Sequence, residues 1–199
     1  MLSFGDYNHH WSYYLAIENQ LADTARFVEF SDQNKETYSI EFARILLAAA
    51  SEIDVIAKQL CKLLDDNSDT KSIFQYQSVL NEHLPSITQE VIRINRYSVV
   101  LKQWENFASP NLSPTWWTAY NKVKHHRHTN FEDANLKNAM HAVGALHILV
   151  VYYYKIAHEA NSGKAVSFGF VMNALQPSAA LFSMDDRYYG RTRSTHSEL

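Results

Sequence analysis

An all-α fold, an up-and-down bundle of about four to five helices, is what this sequence predicts, and three observations predict it. Four long stretches repeat their apolar residues every three or four positions. Only five glycines and four prolines occur in 199 residues, too few for a loop-rich or all-β chain. The 46% hydrophobic and 20% charged content is that of an ordinary globule able to bury a proper core.

The first helical stretch runs from about His10 to Phe30, with Trp11, Tyr14, Leu15, Leu21, Ala25 and Val28 among its apolar positions. The second, about Ser39 to Leu64, has the clearest period: Phe42, Leu46, Ala50, Ile53, Ala57, Leu60 and Leu64 form one stripe. The polar run Asp65 to Thr70 breaks it, and Ile73 to Leu84 suits a short helix. From Val91 to Phe107 the β-branched and aromatic residues predict extended chain and a small hairpin. The third long helix starts at Ser113-Pro114, a serine cap followed by a proline at the first helical position. The fourth spans about Phe131 to His158, with Leu136, Met140, Val143, Leu146, Val150 and Tyr154 on one face and Glu132 and Asp133 at its positive end. Residues 1–162 therefore read as one helical domain. Residues 163–199 read as a tail that docks through Phe168, Phe170, Val171, Leu181 and Phe182, then turns disordered from Arg187 onward.

Several classes of function are excluded by what is missing. A net charge of −3 gives no global attraction for nucleic acid, so any such attraction must be local. The single cysteine, Cys61, rules out an intramolecular disulfide and sits in an apolar stripe. No basic region followed by an apolar run opens the chain, and the greasiest stretch, about Ala142 to Tyr154, is shorter than the ~20 residues of a membrane span. A cytoplasmic protein with no membrane partner is expected. Walker, dinucleotide, GxSxG and HExxH patterns are absent, and no cofactor is expected.

The octapeptide Tyr120 to Arg127 stands apart. Lys122, Lys124 and Arg127 are cationic at neutral pH, and His125, His126 and His128 become so on mild acidification. No acid lies between Glu105 and Glu132. On a helix, Asn121 and His125 share a face, with Tyr120 and Lys124 beside them. Such a cluster suits an anionic ligand. The plain alternative is a solvated face near a helix C-terminus, where cations are favoured in any case.

The order Tyr-Asn-x-x-x-His, after a capped helix start and before a long final helix, resembles the HEPN family (higher eukaryotes and prokaryotes nucleotide-binding domains). Those are small helical domains, often dimeric, and many are metal-independent ribonucleases of toxin, anti-phage and CRISPR systems. Their signature is an arginine, a small polar residue and a histidine four to six residues after the arginine. Asn121 matches the polar position and His125 the histidine, while Tyr120 stands where the family has arginine. The resemblance implies His125 as general acid or base, Asn121 as an orienting group, and Lys124 with Arg127 as charge stabilisers in place of the arginine. Tyrosine supplies no fixed positive charge, so Tyr120 marks a departure from the nuclease pattern. Asp54 and Lys58 on the second helix resemble the family's supporting Glu-x-x-x-Lys pair, although an ordinary i,i+4 ion pair reads the same way.

The resemblance covers about residues 10–160 and implies two functions. One is an RNA-directed module acting as a metal-independent endoribonuclease that leaves a cyclic phosphate. The other is a catalytically inactive binding or dimerisation module. Either form implies a homodimer with the third helices near each other, RNA as ligand, and a protein partner such as an antitoxin. Lys122, His126 and Trp117 are the expected binding residues, although Trp116, Tyr120 and Val123 also make a core stripe. The basic tail residues Arg187, Arg191 and Arg193, with Tyr188-Tyr189, are candidates to hold RNA or a partner, against the plainer reading of a disordered terminus. His125 and His128 with His141 or His147 are the remote candidates for a metal, at spacings that diagnose none, and no metal site is expected. His147 reads better as a hydrogen-bonded core histidine.

Overall fold

The computed structural model describes residues 8–185 and 188. Among them are helices α1 (His9–Thr24), α2 (Ile40–Leu64), α3 (Ile73–His83), α4 (Thr115–His126), α5 (Leu136–Ser162) and α6 (Phe168–Ala174). A two-stranded antiparallel hairpin, β1 (Ile92–Ile94) and β2 (Val99–Leu101), lies between α3 and α4. Short 3-10 turns fill most of the remaining connections.

The long helices start where side chains take up their unpaired N–H groups. Ser39 accepts from the Phe42 N–H at 3.1 Å and starts α2, and Asn135 accepts from the Asn138 N–H at 3.0 Å and starts α5. At its other end α5 stops at Gly163, whose φ of 68° is the left-handed conformation that glycine adopts without strain. The expected boundaries shift for similar reasons. α1 ends at Thr24, short of Phe30, because the Thr24 hydroxyl donates to the Leu21 carbonyl at 2.6 Å and competes with the next helical turn. α5 begins at Leu136 because Asn135 caps it, which leaves Glu132 and Asp133 in a preceding 3-10 turn. α4 begins at Thr115, and Ser113 bonds the Thr118 hydroxyl instead of capping. The stretch read as extended is a hairpin only as far as Leu101; beyond it the chain turns into a 3-10 helix.

Helices α2 and α5 form the core pair and run in the same direction. Their starts are joined by Ser39 N–H to Ala134 O at 3.2 Å and Leu136 N–H to Thr37 O at 2.9 Å, and their later turns meet where Tyr153 donates to Gln59 at 3.1 Å. α1 runs against them, with His10 bonding Glu52 and Gln59. α4 also runs against α5: Trp116 near its start bonds Gln103, which abuts Gly144, and Lys122 near its end pairs with Asp133 before α5. A Cβ at Gly144 would stand 2.4 Å from Gln103 Nε2, so the missing side chain lets the insertion close on α5. By composition and length α5 could cross a membrane, but 83% of its most apolar window is buried inside the bundle. It is the core helix, apolar on every side because neighbours surround it.

The tail docks through polar groups as well as apolar ones. Glu18 of α1 is fully buried and accepts the backbone N–H groups of Ala180, Leu181 and Phe182, each at 3.0 Å, together with the Tyr14 hydroxyl at 2.8 Å. Because Tyr14 gives its proton to Glu18, its oxygen accepts from His147 Nδ1 at 2.7 Å. Burial drives the His147 pKa down to about 3, so the ring is neutral and its Nδ1 carries the proton. Phe182, whose N–H Glu18 holds, and Met184 are both buried. Residues beyond 188, with the expected basic contacts Arg191 and Arg193, lie outside the described residues, as does Arg187.

Replacing Glu18 by alanine removes the acceptor of the Ala180, Leu181 and Phe182 N–H groups, the last of them buried, so Glu18→Ala is expected to cost about 2–4 kcal/mol in urea unfolding, and Glu18→Gln, which keeps one acceptor, less. A second expectation concerns pH. Burial opposes charge on His10, but hydrogen bonds to Glu52 and Gln59 and the charge of Glu52 outweigh it and raise its pKa. The stabilisation from His10 is therefore complete below the unfolded value of about 6.5 and is lost as pH rises through the higher folded value. Unfolding of His10→Ala beside wild type should show a larger deficit at about pH 5.5 than at about pH 8.5.

Candidate functional site

Helix α4 carries the octapeptide on a split surface. Trp116, Trp117, Ala119, Tyr120 and Val123 face the core, while Asn121, Lys122 and residues 124–128 are exposed. The helix ends because the His126 carbonyl is taken by the side chains of Thr129 at 3.2 Å and Asn130 at 3.0 Å. Arg127–Thr129 then turns as a 3-10 helix, so Lys124, His125, His126, Arg127 and His128 gather on one exposed corner.

The residues expected to share a site separate into core and surface. Tyr120 is 6% exposed, packs on Trp117 at 5.1 Å between ring centroids, and accepts from Lys124 Nζ at 3.1 Å. The position of the family's arginine is thus a core ring with its hydroxyl engaged. Lys124 also lies over that ring, 5.3 Å from its centroid. Trp117, expected to touch a ligand, is only 8% exposed and is a core residue; the i,i+3 spacing with Tyr120 that places both inside is the same spacing that made it adjacent to the cluster. Asn121 turns its amide back to the Trp117 carbonyl at 3.2 Å. Lys122 is tied to Asp133 at 3.1 Å. Among the described residues the side chains of His125, Arg127 and His128 have no hydrogen-bond or ion-pair partner, and His126 has only the His125 ring at 6.4 Å.

Asp54 and Lys58 form the expected ion pair, but not beside the histidine. Asp54 also accepts from the Tyr76 hydroxyl at 2.7 Å, so the pair fastens α3 to α2. Asp54 stands fourteen residues into α2, whereas the end of α4 lies by the start of that helix, a separation of roughly 20 Å along the bundle.

Two clefts went unnoticed in the sequence, because their walls come from distant segments. One of about 540 Å³ lies between the α1–α2 connection, the hairpin and α5, lined by Phe30, Lys35, Tyr97, Lys137 and His141 among others. Burial, and then the charge of Lys137, lower the His141 pKa to about 4, so this imidazole is neutral. The other, of about 350 Å³, is lined by Thr118, Lys122, Asp133 and Asn138. His125 lines neither. No group of three His, Cys, Asp or Glu side chains converges as a metal site among the described residues. No protein-family model, curated protein or solved structure matches the chain.

Arginine at position 120, the residue that the HEPN signature has there, places a cation in the core. Tyr120→Arg is expected to lower the melting temperature sharply, by several kcal/mol of stability, whereas Tyr120→Phe should cost about 1 kcal/mol or less; thermal unfolding of both variants checks this.

Proposed function

We propose that this chain is an RNA-directed binding module of HEPN-like type, working in the cytoplasm without cleavage chemistry of its own. The observation that carries the reading is the division of α4: Tyr120 is a buried core residue, while Lys124, His125, His126, Arg127 and His128 are exposed on one corner. A nuclease of the family's kind needs a fixed cation beside an imidazole in a cleft. Here Lys124 leans on Tyr120, Arg127 is unanchored, and His125 lines neither cleft. An exposed cationic corner with no acid between Glu105 and Glu132 meets the simpler requirement of holding a polyanion.

The sign of the whole molecule matters less than its local pattern. Although net charge is −3, Lys122 and Asp133 neutralise each other, which leaves the corner positive. A homodimer that sets two such corners side by side would double this charge, and a protein partner such as an antitoxin would engage the same surface.

The test is anisotropy titration of labelled RNA in chelator, across salt concentrations. Wild type should bind with affinity that falls with salt, and Lys124→Ala with Arg127→Ala should weaken it and flatten the slope by about 0.7 for each lost phosphate contact. Incubated RNA should remain intact with wild type and with His125→Ala alike. Cleavage that vanishes in His125→Ala would overturn the binding reading in favour of the nuclease.

A further inference from the structure

Beside the cationic corner the fold holds an aromatic pair, exposed Tyr38 on half-buried Phe131, that sequence periodicity does not reveal. Tyr38 is 52% exposed, and its ring meets the edge of Phe131 at 5.4 Å and 77°. Single exposed aromatics are ordinary, but this one is held at both ends. Tyr38 bridges Asn135, and the flanking main chain is fixed by Lys137 N–H to Lys35 O at 3.0 Å, Leu136 N–H to Thr37 O at 2.9 Å and Ser39 N–H to Ala134 O at 3.2 Å. A ring so restrained gives up little conformational freedom when something packs on its free face.

Its position gives that face a use. Phe131 follows Asn130, whose amide holds the His126 carbonyl at the end of α4, so the ring pair and the turn carrying Lys124 and Arg127 share one end of the bundle. Of the carboxylates of this region, Asp133 is paired with Lys122, Glu36 accepts the Asn135 amide at 3.1 Å, and Glu132 is exposed, so Lys124 and Arg127 are the cations left for a ligand. A ligand that matches both features has anionic groups along a chain and flat faces between them. An unpaired RNA strand does so, whereas a duplex keeps its base faces stacked inside.

We infer that Tyr38, backed by Phe131, is a stacking platform for an unpaired base of an RNA strand whose phosphates lie on the Lys124–Arg127 turn. This rests on the RNA-directed reading and adds to it a residue that discriminates single strand from duplex and from base-free polyanions.

Three probes separate the two claims: a single-stranded RNA of about 12 nucleotides, its duplex, and inorganic polyphosphate. Wild type should prefer the single strand. Tyr38→Ala should weaken single-strand binding roughly 5- to 150-fold, as expected for loss of one stacked base, and leave polyphosphate affinity nearly unchanged. Tyr38→Phe should retain the preference, because the ring face does the stacking. Circular dichroism checks that each variant is folded, as expected for an exposed side chain. Equal weakening towards all three probes, or no weakening, would overturn the platform while leaving the polyanion reading in place. Failure of wild type to bind any of the three would overturn both.

Discussion

The main-chain clasp between residues 35–39 and 134–137 is the constraint from which most of this architecture follows. Its three N–H to carbonyl bonds bring the starts of α2 and α5 together, so these two helices lie parallel along their length. Parallel neighbours cannot be joined by a short loop, and the chain leaving the far end of α2 must return along the length of the bundle to start α5. The intervening α3, hairpin and α4 make that journey, and α4 returns antiparallel to deliver its C-terminal end beside the clasp. The basic corner, the Lys122–Asp133 pair and the Tyr38–Phe131 rings meet there for that single topological reason.

A second constraint closes the other side. Glu18 is a buried carboxylate, which would be costly if left unsolvated, yet it accepts three backbone N–H groups and one hydroxyl. The same bonds satisfy donors of residues 180–182 that no helix or strand serves. Tail and carboxylate therefore need each other. The neutral His147 and Tyr14 extend this network into α5, and Trp11 holds Pro177 through its indole N–H at 2.9 Å. The tail is thereby part of the core rather than an appendage of it.

Charge on α4 is likewise shaped by its neighbours. Side chains three and four apart on a helix share a face, but a bundle has a dry side and a wet side, and the octapeptide spans both. Tyr120 and Val123 go inward, the cations outward, and Lys124 lies at the border, its ammonium on the Tyr120 oxygen. A motif written with consecutive letters thus becomes two populations with different chemistry. Lys and His at this end also complement the negative pole of α4, which is reason enough for their presence before any ligand is considered.

By itself the sequence determined the helical character, the stripes of α2 and α5, the hairpin and the core nature of His147. Each follows from local periodicity, propensity or the cost of burying an unpaired polar group. It also exposed the cationic cluster, because charge is visible without geometry. Only the tertiary structure decided that Trp117 joins Tyr120 inside while Asn121 and His125 face water, that Asp54 and Lys58 stand far from the histidine, and that Tyr38 meets Phe131. Those facts depend on how helix faces are rotated against one another and on hydrogen bonds between segments about a hundred residues apart. No local pattern carries that information, since a stripe records that a side is buried and leaves open which neighbour buries it.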